Sequence, residues 1–238
     1  MRQRDERPLS SVPPWLWAAL AILCAAQFSI VAWQERGAPE ARDLPPAPRP
    51  QVLRALALGE TAALARITML YLQAFDYRGL NALTYRDLDY ARLLDWLRAV
   101  LATDPKSEYA LFSAARVYAE NPDPHRSRAA LALVHEAFLD DPDRRWPWLA
   151  HAALLAKHQL KDLPLARRYA ADVARLATSD DVPDWARQME VFILEDMNEL
   201  EAAKVLLGGM LAEGRIRDPA ERRFLELRLK ELERRVGG

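Results

Sequence analysis

Four histidines, His125, His135, His151 and His158, are the first residues to weigh for chemistry, because imidazole titrates near neutrality and binds metals. His151 and His158 are seven apart and could share one helix face. No H-E-x-x-H, no cysteine pair and no acidic third ligand at helical spacing accompanies them, so they read as surface or packing histidines. Glu195, Asp196, Glu199 and Glu201 cluster in sequence, and paired carboxylates can perform acid–base work. A charge run of this kind reads first as a solvated turn. Ser113 has no G-x-S-x-G context, and no glycine-rich phosphate loop occurs. Catalysis, a metal and a cofactor are therefore not expected.

What remains is a scaffold. The chain has 238 residues, 51% hydrophobic and 28% charged, with only eight glycines. Scarce β-branched residues and abundant Ala, Leu and Arg favour helix over strand, so the fold class is all-α. A net charge of −1 gives no electrostatic footprint for nucleic acid. Cys24 is the single cysteine, which excludes a disulfide framework and a cysteine metal site.

After a short N-terminal tail (1–14), Trp15 to Trp33 runs 19 residues without a charge, WLWAALAILCAAQFSIVAW. A helix needs about 20 apolar residues to cross a bilayer, and tryptophans mark both ends of this one, so 15–33 predicts a transmembrane helix. A cleaved signal peptide is the alternative, with Cys24-Ala25-Ala26 as its cleavage site. The apolar run exceeds the usual h-region and continues beyond that site, which favours an anchor. Ile22-Leu23 lacks the small residue that lipidation at Cys24 would need. Arg2, Arg4 and Arg7 precede the span, and Arg36, Arg42 and Arg49 follow it. The tie is tipped toward N-inside by the α-amino group and the short tail, which puts the body outside the cytoplasm, in a bacterial periplasm. Residues 34–50, QERGAPEARDLPPAPRP, carry five prolines and predict a linker reaching roughly 50 Å if in polyproline II.

The body, residues 51–238, shows self-similarity. Asp104-Pro105 and Asp141-Pro142 lie 37 apart, each after an apolar run, and Asp218-Pro219 adds a third such step. KDLPLARRYAADVARL from Lys161 resembles NELEAAKVLLGGML from Asn198, with Ala166 and Ala203 again 37 apart. Trp148, Ala152 and Leu155 then precede Ala166, Ala170 and Val173; Leu111, Ala115 and Tyr118 precede Ala130, Val134 and Ala137; Trp185, Met189 and Phe192 precede Ala203, Leu207 and Met210. On these residues the chain resembles the tetratricopeptide-repeat family over about 87–212. It departs from that family in a period near 37, in Met189 where a small residue is usual, and in the missing turn glycine.

The resemblance implies an α-solenoid of about four helix pairs in which small residues let paired helices approach. Each Asp-Pro would end one pair and start the next, and Trp148 would anchor a repeat core. Residues 51–75 have a helical apolar period and predict the first helix. Leu225, Leu229, Leu232 and Val236 predict a C-terminal capping helix.

Two places are read as binding surfaces. Helix A side chains of the resembled family line a concave groove, which implies Tyr109, Phe112, Arg116, Trp146, Leu149 and Glu190, with Ala153 and Ala186, at that face. The connector FDYRGLNALTYRDLDY, with Tyr77, Tyr85 and Tyr90, is too long for a repeat turn. The expected function is a membrane-tethered protein-interaction adaptor for a cell-envelope complex, at the inner membrane. The alternative is a non-catalytic accessory subunit bound permanently to a membrane enzyme or transporter. A protein partner is expected in either case, and neither nucleic acid nor a small-molecule substrate.

Overall fold

The computed structural model describes residues 13–34, 43–75, 83–214, 216 and 218–237. Arg2, Arg4, Arg7, Arg36, Arg42 and Tyr77, and the side chain of Trp33, lie outside the described residues. The regular elements among the described residues are all helical, as composition demands. They are α1 (Pro14–Gln34), α2 (Pro50–Leu56), α3 (Thr61–Ala74), α4 (Tyr90–Thr103), α5 (Glu108–Ser113), α6 (Pro124–Asp140), α7 (Pro142–His158), α8 (Leu163–Leu176), α9 (Asp184–Asp196), α10 (Leu200–Ala212) and α11 (Pro219–Gly237). After α5 the chain continues as a wider turn, Ala114–Tyr118, in which the Ala119 N–H reaches back five residues to the Ala114 carbonyl at 2.9 Å.

Asp and Pro start these helices for a local reason. Proline at the first helical position loses no hydrogen bond, and a preceding Asp accepts the orphan N–H groups. Asp123 accepts from His125 N–H at 2.9 Å before Pro124, and Asp218 from Ala220 N–H at 2.8 Å before Pro219. Asp141 precedes Pro142 at the start of α7 without making such a bond. Asp123-Pro124 opens the second helix of a pair, whereas Asp141-Pro142 opens the first of the next. Asp104-Pro105, Asp141-Pro142 and Asp218-Pro219 fall between α4 and α5, α6 and α7, and α10 and α11, whereas Asp123-Pro124 falls between α5 and α6.

Helix ends follow backbone handedness. Asn198 (φ 61) closes α9: its N–H bonds the Glu195 carbonyl at 3.0 Å, while Glu199 N–H reaches Leu194 at 2.9 Å. Lys161 (φ 56) occupies the corresponding left-handed position after α7, 37 residues earlier. Both turns thus use a left-handed residue other than glycine.

Residues 51–75 form two helices, α2 and α3, inclined at 115°. Leu58 (φ 49) and Gly59 (φ 96) force the break, a conformation that a continuing helix does not tolerate. The linker also differs from its expected spacer role over residues 43–49. Leu44 is fully buried, and the Asp43 carboxylate accepts Asp89 N–H at 3.1 Å. Arg92 donates to the Leu44 carbonyl and Trp96 Nε1 to the Pro45 carbonyl, both at 2.8 Å. This strap binds α4 through backbone groups that prolines leave free to accept.

Helices α4 to α11 pack mainly on their chain neighbours, with α4 also touching α6 and α7 touching α9. One core runs from Leu44 to Ile193, and a smaller one joins α9, α10 and α11 through Leu194, Ala203, Leu207, Leu225 and Leu232. Leu229 packs on this smaller core while Phe224 and Leu227 of α11 face outward. Helix α1 is 21 residues long, and its described side chains are exposed except for the half-buried Ala19. Among the described residues no single helix is long and apolar enough to cross a membrane; α1 contributes the apolar stretch Pro14–Ile30, and α2 with α3 qualify only as a bent pair.

Candidate functional site

Three helices contribute to one aromatic groove of about 390 Å3. Helix α5 brings Phe112, the wide turn after it Arg116, α7 brings Trp146, Pro147, Trp148, His151 and Leu154, and α9 brings Trp185. Alanines set this arrangement. Ala152, Ala153 and Ala156 of α7 are fully buried, and close approach of the neighbouring helices leaves the indoles no space except the rim. Phe112 meets Trp148 edge-to-face at 6.0 Å and 83°, and Trp146 meets Trp185 at 5.5 Å and 73°. These are favourable aromatic geometries, so the rings brace one another while staying open to solvent. Phe112 is 43% exposed and Trp185 52%.

The polar groups of the groove are mostly donors. Trp148 Nε1 donates to the Glu108 carboxylate. The Trp146 and Trp185 indole N–H groups have no hydrogen-bond partner among the described residues. Arg116 Nη1 lies 3.5 Å from His151 Nδ1, at the outer limit of hydrogen bonding. The other imidazole nitrogen, Nε2, is buried and unpartnered. Burial, followed by the charge of Arg116, pushes the His151 pKa down, so this ring is neutral at physiological pH. Such a groove offers a guanidinium and free indole donors between apolar walls.

Of the residues assigned from sequence, Phe112, Arg116 and Trp146 come together here. Tyr109 is half-buried and packs against the main core. Leu149 does not belong to the groove: it is fully buried, as are Ala153 and Ala186. On α7 the groove is lined by Trp146, Pro147, Trp148, Ala150, His151 and Leu154, so of the assigned positions 146, 149 and 153 only 146 belongs to it. Glu190 sits apart, accepting from Arg167 Nε at 3.2 Å and lining a cleft between α8, α9 and α10. Trp148 is half-buried, and Trp185 exposed, where repeat-core positions were expected. The missed members Trp148, His151, Leu154 and Trp185 had one signal in sequence. Three of the seven tryptophans fall at the starts of α7 and α9.

The described part of the aromatic connector is a packing element. Tyr90 is 7% exposed, donates to the Tyr118 carbonyl at 3.0 Å and accepts from Asn121 Nδ2 at 2.8 Å. Burial pushes its phenol up to about 12. Tyr85 stacks at 6.4 Å on Tyr118.

The remaining candidates are also tied into the scaffold. His135 Nε2 lies 2.7 Å from Asp172 and its ring packs on Tyr169. Burial works against the charged form of Asp172, but hydrogen bonds from Arg175 and His135 outweigh it and hold that carboxyl below the usual range. Glu195 accepts from Arg228 Nε at 3.0 Å, which fastens α11 to α9. The cleft of about 520 Å3 near Arg98 and Arg145 is bounded by arginines already in use. Arg145, 3% exposed, donates to the Ala137 and Pro105 carbonyls, and Arg98 pairs with Glu136 at 3.1 Å. Among the described residues no three His, Cys, Asp or Glu side chains converge as metal ligands. No family model, curated protein or solved structure matches this chain, so its functional reading rests on its residues and geometry.

Proposed function

We propose that the protein is a membrane-tethered adaptor whose aromatic groove binds another protein, and that its body is a tetratricopeptide-like stack. Serial packing of α4 to α11 supports the stack, as do the left-handed turn residues Lys161 and Asn198, spaced 37 apart. The observation that carries the function is the groove itself, made by the first helices of three successive pairs and walled by Phe112, Trp146, Trp148 and Trp185. Interface hot spots are enriched in Trp and Arg, and exposed aromatics braced in a concavity mark interaction sites. The ligand that fits is a peptide segment with apolar anchors and with carbonyls or a carboxylate facing Arg116 and the free indole donors. The uncharged run Trp15 to Trp33, with tryptophan at both ends and carried by α1, supports reading that helix as the single-pass anchor in the inner membrane, with the body in the periplasm. Because residues 43–49 are strapped to α4, this part of the proline-rich stretch is not the spacer that the sequence suggested.

The test uses the full-length chain in cells. Arg116→Glu combined with Phe112→Ala should abolish site-specific crosslinking to the partner while leaving helical content and melting temperature close to wild type. Retention of the same adduct by a folded double variant would move recognition away from the groove.

A further inference from the structure

Helices α2 and α3 turn Leu53, Ala65, Met69 and Leu72 inward and pack on α4. Their outward side also carries a run of large apolar residues. Val52 (49%), Leu56 (64%), Leu58 (91%), Ile67 (61%) and Leu70 (61%) are all exposed. Among the described residues outside α1, thirteen large apolar side chains are exposed, and six of them fall in residues 52–71. On α3 the exposed row Ala63, Ile67, Leu70 and Ala74 keeps helical spacing, so it is a continuous stripe and not scattered residues. Leu58 projects at the bend between the helices in a left-handed conformation (φ 49), where Gly or Asn is usual and where water gives a leucine nothing.

Two further observations say what covers this face. The charges of residues 49–74 are Arg49, Arg54 and Arg66 against Glu60, a net of +2. Neither Arg49 nor Arg66 has an acidic partner among the described residues. Apolar side chains flanked by free arginines match the acyl boundary and anionic headgroups of a bilayer. The chain length points the same way. Helix α1 ends at Gln34 and the strap is pinned at Asp43, which leaves nine residue steps, at most roughly 30 Å when fully extended. A body tethered that closely keeps its N-terminal end beside the membrane that holds α1.

We propose that the outward face of α2 and α3, with Leu58 at its tip, lies in the interfacial layer of the bilayer and fixes the body on the membrane surface. The proposal rests on α1 being an anchor, and the experiment separates the two claims. Full-length protein carrying Cys24→Ser receives one new cysteine at a time: Leu58→Cys, Ile67→Cys, Leu23→Cys inside α1, and Leu227→Cys on α11. Each is labelled with a polarity-sensitive fluorophore and reconstituted in phosphatidylcholine vesicles containing one quarter phosphatidylglycerol. Nitroxide-bearing lipids then serve as shallow or deep quenchers. Labels at 58 and 67 should shift to the blue and lose most of their emission to the shallow quencher. The label at 23 should respond to the deep quencher and the one at 227 to neither. Leu70→Glu should restore emission at 67 without changing position 23. If 23 is quenched while 58 and 67 behave like 227, the face does not touch lipid and the proposal fails while the anchor stands. Quenching at 58 and 67 without quenching at 23 retains the lipid-binding face and removes the anchor. No quenching at any of the three removes both. A blue shift at 58 and 67 that persists in detergent and resists the nitroxides means a protein, such as a second copy of the chain, covers the face, which overturns the proposal.

Discussion

The two sides of α7 use different residue sizes for different ends. Leu149, Ala152, Ala153 and Ala156 are fully buried in the main core, whereas Trp146, Trp148, His151 and Leu154 line the groove. Small side chains allow α6 and α8 to come close, and that closeness expels large rings. Trp96 of α4 shows what a core tryptophan needs: it is 8% exposed and its Nε1 is satisfied by the Pro45 carbonyl. Trp185 is exposed, and among the described residues its indole N–H has no partner. Comparing these positions separates aromatic residues that hold the fold from those left available for binding.

The largest predicted effect tests that separation directly. Leu149→Ala should cost about 2–5 kcal/mol, measured by urea denaturation followed by circular dichroism. Trp185→Ala removes more atoms but should cost under about 1 kcal/mol, because its ring already faces water. Comparable losses from the two substitutions would erase the distinction between the faces.

Next in size is the strap. Trp96→Phe keeps most of the packing but leaves the Pro45 carbonyl without its donor, a loss of about 1–2 kcal/mol. Faster limited proteolysis within residues 43–49 should accompany it. An unchanged cleavage rate would mean that the strap is held by Asp43 and Arg92 alone.

The helical class and the starts of α7 and α11 were legible because they depend on local chemistry: Asp before Pro, alanine rows and few β-branched residues. The strap was not legible. Leu44 lies among prolines that suggest a spacer, and only contact with α4, nearly fifty residues away, gives it a place in the core. The groove was half legible. Phe112, Arg116 and Trp146 were reached through the repeat pattern, but Leu149 faces the core while its neighbours Trp148 and Ala150 line the groove. Pro147, inside α7, lacks the N–H that would bond the residue four before it, so it gave warning that ideal periodicity was unsafe there. The turn at Lys161 was illegible, since lysine carries no preference for a left-handed backbone.

That turn supplies a smaller prediction. Lys161→Gly should stabilise the protein by about 0.5–1 kcal/mol, because relief of the left-handed penalty exceeds the entropy glycine adds to the unfolded chain. Asn198→Gly should gain less, since asparagine already tolerates this conformation. Thermal melts of the two variants would sharpen the correspondence between the two turns.

The smallest expected effect concerns pH. His151 has its folded pKa lowered, by burial first and Arg116 second. The unfolded chain therefore binds the proton more readily, and His151 contributes its full stability above about pH 6.5. That contribution is lost as pH falls from there through the lowered folded pKa. His151→Gln should flatten the slope of melting temperature against pH in that acidic window and leave the slope above pH 7 unchanged. An unaltered acidic slope would remove His151 from the account.

The central claim is that the aromatic face recognises a partner while the alanine face only builds the fold. In full-length protein in cells, a photocrosslinking residue placed at Leu154 in the groove, or at Leu139 on α6, which is 51% exposed and outside the groove, reports this most directly. The account predicts a discrete adduct from position 154 and none from 139, with the adduct lost when Trp146→Ala and Trp185→Ala are added. The same adduct from both positions, or one that survives loss of both tryptophans in a folded protein, contradicts it.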